Sequence, residues 1–343
     1  MNKTGEKGGT PRNPRMIDVA RLAGVSHQTV SRVLNDSDLV GVELRERVNN
    51  AIQLLGYKRN TAARALATQR TMNLGVVCFG ISQYGPSLAL YGMAESARQA
   101  GYATSLVSLA ETDRESVRKA LEYLVDISVD GIAVIAPVKG ATDAVLGFSA
   151  NIPLVAFEPG AGHGIASVAI DEVLGAQMAT KHLLELGHKS VWHVGGPAGW
   201  LATDARIKGW RSELAANGCV AHEVISGDWS SASGYRAGQI IAGNRNITAV
   251  YVTNDQMSLG VLRALHDAGL QVPRDISVVG FDDIPESAYF MPPLTTVRLD
   301  FREVGHLCVT RLLKMIQKED LPPEPLLQPQ FVLRSSTAPP PQR

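Results

Sequence analysis

The sequence predicts an α/β chain with a small all-α module in front of a two-lobed core, each lobe a doubly wound parallel sheet. Three observations predict it. Residues 16–68 contain a helix, a glycine-bearing turn and a second helix with a polar tip. From Leu74 onward, β-rich apolar runs alternate with helical stretches, and the alternation restarts near Val168. The charge is also split: of 33 Lys+Arg and 33 Asp+Glu, residues 1–70 hold 12 and 6, leaving 21 and 27 for residues 71–343. A basic first fifth and an acidic remainder imply two parts with different tasks.

In the N-terminal module, Val19-Ala20 and Leu22-Ala23 give one apolar-periodic run, Gly24-Val25 a tight turn, and Ser26 a good N-cap for the next helix. His27, Gln28 and Thr29 then sit at that helix's N-terminus facing outward, while Val30, Val33 and Leu34 return to the apolar face. This is a helix-turn-helix pattern, whose second helix presents its tip to the DNA major groove; the plain alternative is an αα-hairpin inside a core. The positive charge of residues 1–70 favours the DNA reading because it suits phosphate contacts. The segment 60–68, with Asn60 as a potential N-cap, is helix-prone but too short to be stable alone. It forms only against a partner, which is how a hinge behaves.

In the core, strands are expected at Leu74–Phe79, Ala103–Leu109, Gly131–Ala136 and Pro153–Phe157, with helices at Leu88–Ala100, Glu115–Val125 and Ala141–Ser149. The second series has strands at Val168–Ile170, Val191–Val194, Ala249–Val252 and Ile276–Gly280. Its helices lie at Val173–Leu186, Arg206–Asn217, Ser231–Ala242 and Gln256–Ala268. Strand–helix alternation twice over implies two parallel-sheet lobes, with ligands outside the carboxyl ends of the strands. Those ends carry chemistry unusual for a core: Glu158, then Thr253-Asn254-Asp255, then Phe281-Asp282-Asp283. Arg206 follows a Gly195-Gly196-Pro197 loop, and Trp229 lies in GDWS. A carboxylate, an amide, a guanidinium and an indole are a polyol-binding set. Singly, Asn254 or Asp255 also reads as a helix N-cap, Trp229 as a core residue and Arg206 as a surface ion-pair partner.

Composition limits the alternatives. At 343 residues the chain accommodates two or three domains, and no run of 18 apolar residues suggests a membrane span. The polar start MNKTGEKGGTPRNPR has no apolar stretch of a secretory signal, and Cys78, Cys219 and Cys308 form no pair or zinc spacing. A cytoplasmic protein with no cofactor and no metal is expected. The Pro-rich end has no leucine heptads for tetramerisation. No GxSxG, Walker A or HExxH motif points to an enzyme.

The ordered pattern DVA-x-x-AGVS-x-x-TVSRVLN from Asp18 to Asn35, continued by RERV…A…LGY-x-x-N…A-x-x-L from Arg45 to Leu66, closely resembles the DNA-binding headpiece of the lac-repressor family. The resemblance continues through GDWS, NDQMSLG, DISVVGFDD and TTVRLDF, nearest the lactose and galactoside branch. It implies a headpiece followed by a core built like periplasmic sugar-binding proteins. His27 and Gln28 become the base-reading pair, with Ser26, Thr29, Ser31, Arg32 and Asn35 beside them for phosphate or mixed contacts. Asn60 belongs to the hinge, and Leu66 is the leucine that wedges into a minor-groove step. Arg32 also reads as a solvated cation and Leu66 as a packing leucine.

By the same resemblance, Glu158, Arg206, Trp229, Asn254, Asp282 and Phe301 fall on effector-contact positions, and Phe79, Tyr84 and Pro86 form a more aromatic wall, suited to a second ring or apolar aglycone. Glu158 stands where the lactose branch has Asp, Leu299 where it has Gln, and Ile135 where it has Asn. The implied organisation is a disordered basic arm (1–14), headpiece (15–59), hinge helix and linker (60–71), core (72–337) and disordered tail (338–343). In the core, the N-terminal lobe is expected at about 72–165 and 299–327 and the C-terminal lobe at about 166–298 and 328–337, with crossings near Phe157–Val168, Thr295–Asp300 and Leu326–Pro329. The implied protein is a repressor of carbohydrate genes that binds a pseudo-palindromic operator as a homodimer, through a surface around Leu88–Ala97, and leaves it when a small sugar binds. A sugar-transport solute-binding protein and a regulator with a non-sugar effector are the alternatives.

Overall fold

The computed structural model describes residues 13–34, 39–58, 65, 68, 70–110, 113–135, 138–148, 151–157, 165–321, 323 and 326–342. The chain divides between Thr71 and Met72 into two compact units.

The first unit holds α1 (Met16–Ala23), α2 (His27–Leu34) and α3 (Val42–Leu55). Gly24 ends α1 at φ 64°, where a side chain is strained, and its N–H reaches the carbonyls of Ala20 and Arg21. The Arg47 guanidinium of α3 fastens that turn by donating to the Ala23 carbonyl at 2.7 Å. Val19, Ala23, Val30, Val33, Val48 and Ala51 make one buried core, following the helical spacing that the sequence displays.

The second unit begins with β1 (Asn73–Phe79), α4 (Tyr84–Gln99), β2 (Ala103–Leu109), α5 (Arg114–Asp126), β3 (Gly131–Ile135), α6 (Lys139–Leu146), β4 (Leu154–Phe157) and β5 (Ala166–Val168). Their strands form a parallel sheet of order β2-β1-β3-β4-β5. The second lobe follows with α7 (Glu172–Glu185), β6 (Trp192–Gly195), α8 (Leu201–Ala216), β7 (Ile225–Ser226), α9 (Ser231–Ala242), β8 (Ala249–Val252), α10 (Asp255–Asp267) and β9 (Ser277–Val279). Its parallel sheet has the order β7-β6-β8-β9. Both lobes therefore reverse strand order beside their first strand, and a crevice forms at such a switch point.

After a 3₁₀ turn (Pro285–Tyr289), β10 (Thr296–Arg298) leads back to the first lobe, where α11 (Phe301–Gln317) packs on α4. The chain then returns through β11 (Gln330–Val332), antiparallel to β10 with Thr296 opposite Val332. Ile170 bridges Leu327, so all three crossings have a described backbone contact. One hydrophobic cluster runs through both lobes, from Leu74 and Met93 to Trp210 and Phe281.

Four boundaries differ from the sequence reading. The segment 166–168 is the fifth strand of the first sheet, with Val155 opposite Ala166 and Phe157 opposite Val168. The change of lobe thus follows Val168 rather than residue 165. Helices α4 and α8 start about a turn earlier than expected, at Tyr84 and Leu201; in α4 the Gly85-Pro86 pair of the first turn masks the helical pattern. The expected tail 338–343 is anchored at its first residue: the Ala338 carbonyl lies 2.9 Å from Ser277 Oγ and 3.0 Å from His188 Nε2. His188, buried and also 2.9 Å from Thr248 Oγ1, is a structural clamp, and burial lowers its pKa.

Candidate functional site

In the first unit, Ser26 caps α2: its hydroxyl accepts from the Thr29 amide at 3.1 Å and lies 2.9 Å from the Thr29 hydroxyl. This cap sets the start of α2 and leaves His27 and Gln28 exposed beside it, with Thr29 and Ser31 half-buried and Arg32 exposed. The inner face of the same helix is apolar, Val30 and Val33 being buried. An exposed tip with ring nitrogen, amide and hydroxyl groups, held by a rigid core, is suited to hydrogen bonding base edges.

In the second unit, a cleft opens at the carboxyl ends of the strands of both lobes. The second lobe supplies Glu172, Trp200, Arg206, Trp229, Asn254 and Asp282; the first supplies Gln83, Tyr84, Pro86, Phe157 and Phe301.

Arg206, on the second turn of α8, is the centre of the polar side. Its Nε donates to Glu172 Oε2 at 2.7 Å, its Nη2 to Glu172 Oε1 and to Asp282 Oδ1, each at 3.3 Å, and its Nη1 to the Thr253 carbonyl. The plane of the guanidinium lies over the Phe281 ring, 4.0 Å from its centroid. Burial alone would lower the Arg206 pKa, but the Glu172 and Asp282 carboxylates reverse this and raise it, so the group stays charged. For Asp282, burial pushes the pKa up to about 6, against the opposing pull of Arg206.

Two cleft residues hold an unfavourable backbone: Trp229 at φ 70° and Asp282 at φ 96°. A non-glycine residue at positive φ costs on the order of 1–3 kcal/mol and persists where its surroundings enforce it. Here the Asp282 amide is held by the Val297 carbonyl at 2.8 Å, and Trp229 is seated over Gly196, where any Cβ would come within 2.5 Å of the indole. Trp229 Nε1 is buried without a hydrogen-bond partner among the described residues. That leaves a donor for a ligand oxygen. Next to it, Asn254 Nδ2 donates to the Trp229 carbonyl at 3.1 Å, while Asn254 Oδ1 caps α10 by accepting from Met257 at 2.9 Å.

The opposite side is aromatic. The Tyr84 and Phe301 rings meet edge-on at 6.2 Å, Phe157 and Phe301 at 6.4 Å, and Trp200 and Trp229 at 5.4 Å. Trp200 also pairs with Val138 of the first lobe in an isolated antiparallel bridge. Burial, then the Asp282 and Asp283 charges, pushes the Tyr84 phenol up to about 12, so it remains a neutral donor. Polar groups on one side and ring faces on the other fit a ligand with hydroxyls along one edge and a flat apolar surface.

The fold and this geometry agree with what sequence comparison finds. Residues 15–60 match the model of bacterial regulatory proteins of the lacI family, and residues 180–337 that of the periplasmic binding protein-like domain. The lactose operon repressor of Escherichia coli (strain K12) is 34% identical over 328 residues, covering 95% of this chain and 91% of the relative. The chain belongs to the lacI family. Within that family, the transcriptional regulator GalS of Salmonella typhimurium is 36% identical over 314 residues, covering 87% and 88% of the two chains. The crystal structure of the lac repressor dimer bound to operator and the anti-inducer ONPF superposes with a TM-score of 0.87 at 32% identity, covering 95% of this chain and all of the other. Membership of the lacI family makes this chain a DNA-binding transcriptional regulator rather than an enzyme.

Of the residues that the sequence singles out, Tyr84, Arg206, Trp229, Asn254, Asp282 and Phe301 meet in one cleft. Pro86 joins them. Phe79 does not: it is 1% exposed and packs with Val77, Leu121 and Val134 on the far face of the first sheet. Side chains alternate along a strand, and Phe79 shares the face of Val77, whereas Val76 and Cys78 take the other. Glu158, Asn35, Asn60 and Leu66 lie outside the described residues. Asn254 is both a helix cap and a cleft residue, and Arg206 is a buried rather than a surface ion-pair partner. Sequence reasoning missed Glu172, Gln83, Phe157 and Trp200. The signal for Trp200 is a tryptophan at the end of a glycine-rich loop after a strand; Glu172, in the first turn of a helix, looks like an ordinary dipole-favoured carboxylate.

Proposed function

We propose that this chain is a cytoplasmic repressor of genes for carbohydrate catabolism or uptake. It binds a pseudo-palindromic operator as a homodimer and leaves it when a small sugar, of the galactoside or related disaccharide kind, fills the interlobe cleft. The observation that carries the proposal is the Arg206–Asp282 pair beside Asn254, facing the rings of Tyr84, Trp200, Trp229 and Phe301. Neutral acceptors, charged donors and stacking surfaces are what a polyol needs. The relative named for the lactose operon, and the operator-bound dimer of the lac repressor, support it. No described helix is long and apolar enough to cross a membrane. A transport role is not favoured, since residues 15–60 match a regulatory headpiece.

In this reading His27 and Gln28 contact base edges, Ser26, Thr29, Ser31, Arg32 and Asn35 set register on phosphates and neighbouring bases, and Asn60 and Leu66 act in the hinge. Two headpieces are needed for two half-sites, which makes the dimer part of the function. Sugar binding acts through the crossings. Asp282 is tied to β10 at Val297, and the buried Asp255 accepts from Thr296 Oγ1 of the same strand at 2.7 Å. Closing the cleft rotates the lobes about β10 and β11, shifts the dimer toward a state that spaces the headpieces wrongly, and lowers DNA affinity.

Selection of DNA from a random duplex library by the full-length protein tests both halves. The expected product is an inverted repeat, released by lactose, galactose or a galactoside in a mobility-shift titration. Selection of no inverted repeat, or release only by a compound without sugar hydroxyls, would overturn the proposal.

A further inference from the structure

We infer that Glu172 makes the cleft select uncharged effectors and reject anionic ones. This rests on the cleft being the effector site, as proposed above.

The reasoning starts from the guanidinium, which has five N–H donors. Four are taken by described groups: two by Glu172, one by Asp282 and one by the Thr253 carbonyl. One face of its plane is stacked on Phe281. The fork that makes arginine a bidentate carboxylate or phosphate receptor is thus already occupied, and by a carboxylate of the chain itself. The remaining donor suits a single hydroxyl.

The charge balance agrees. Arg206 is the cation of the cleft lining, and Glu172 and Asp282 are its two carboxyls, at 6% and 9% side-chain exposure. With both ionised the described lining is net negative; with Asp282 protonated it is neutral. Neither state offers uncompensated positive charge to an anion. The rest of the lining is aromatic, aliphatic or amide, so a charge brought in would give up hydration without gaining a counter-ion.

Glu172 is also well held. It opens α7 directly after the Asp171 cap, whose carboxylate accepts from Leu174 at 2.9 Å, so the positive end of the helix supports it. The Ile170–Leu327 bridge between crossing segments lies two residues before it. Glu172 is therefore a specificity-determining residue that acts through Arg206.

Thermal denaturation of the full-length protein with matched ligand pairs tests the inference: galactose against galacturonate, lactose against lactobionate, adenine against adenosine monophosphate. Wild type is expected to be stabilised by an uncharged member only, the anionic partner binding about a hundredfold more weakly or worse, because like-charge juxtaposition is strongly unfavourable. Glu172→Gln keeps an acceptor for Arg206 but removes the charge, and should narrow that gap by about tenfold or more, a change of ratio that a merely structural role would not produce. Its cooperative melting without ligand verifies the fold. Equal stabilisation of wild type by an anion overturns the inference, as does an unchanged ratio in the folded variant. If the effective pair is adenine and its nucleotide, the sugar reading fails while the charge rule stands; an anionic sugar as effector sinks the charge rule and leaves the sugar reading intact.

Discussion

The two lobes wind their sheets in the same order, yet every charged side chain of the described cleft lining comes from the second. The second lobe brings the charges, Glu172, Arg206 and Asp282, with the amide Asn254 and the indoles Trp200 and Trp229; the first brings Tyr84, Pro86, Phe157 and Phe301, with Gln83 as its one amide. The charged half is bonded within itself and to its own backbone, through Thr253, Trp229 and Val297. The aromatic half relies on edge-on ring contacts. The difference teaches how one topology serves two tasks: one lobe fixes the orientation of a polar ligand in advance, and the other covers it and excludes water. A preorganised polar wall gains from burial, because low dielectric strengthens each of its interactions.

The sharpest way to break this division is to remove Arg206. Glu172 and Asp282 would then be two buried carboxylates without their cation, and losing one partner of a buried pair costs about 3–5 kcal/mol. Chemical denaturation of Arg206→Ala should show a stability loss of that size; a loss below about 1 kcal/mol would mean that water already reaches the cluster. Asp282→Asn is milder. It should weaken sugar binding by about 1.5–3 kcal/mol, the usual value of a hydrogen bond to a charged group, as measured by calorimetric titration.

The same variant isolates a pH effect. Burial raises the Asp282 pKa from the ordinary 3.8 to about 6, so between these values the folded protein holds a proton that the unfolded chain has released. Wild-type stability relative to Asp282→Asn should therefore fall as pH rises from about 4 to about 6. A relative rise over that window would show that Arg206 prevails over burial. Least affected should be Tyr84→Phe on the aromatic side. If the first lobe acts by its ring faces, loss of one hydroxyl changes sugar affinity by less than about 1 kcal/mol; a larger loss would make Tyr84 a polar ligand group and blur the contrast between lobes.

What could be read before any coordinates follows the same physics. The helical period of Val19, Val30 and Val33, the Gly24 turn and the Ser26 cap are local, and each is where the sequence puts it. The parallel strands are buried apolar runs, and Asp282, Asn254 and Arg206 stand out because a charge or an amide at a strand or loop end has few structural uses. Phe79, expected on the cleft wall from the resemblance, packs instead with Val77 in the first lobe's core. Glu172 was hidden because its meaning depends on Arg206, 34 residues away, and no local pattern encodes that pairing. Strands β7, β10 and β11 have three residues or fewer and exist only through distant partners, which leaves no period to detect. Asp283 is a similar case. It accepts from Arg298, the last residue of β10, at 2.7 Å and from Arg334, two residues after β11, at 2.6 Å, and so clamps both crossings to the lobe that holds Asp282.

The central claim is that one cleft couples a sugar to a DNA-binding headpiece, and coupling between two binding sites is reciprocal. The most direct measurement is the affinity of the full-length protein for its effective sugar, by calorimetry, with and without a saturating selected operator duplex. The account predicts that operator weakens sugar binding by the same factor by which sugar weakens operator binding. A sugar affinity unchanged by operator DNA would contradict it.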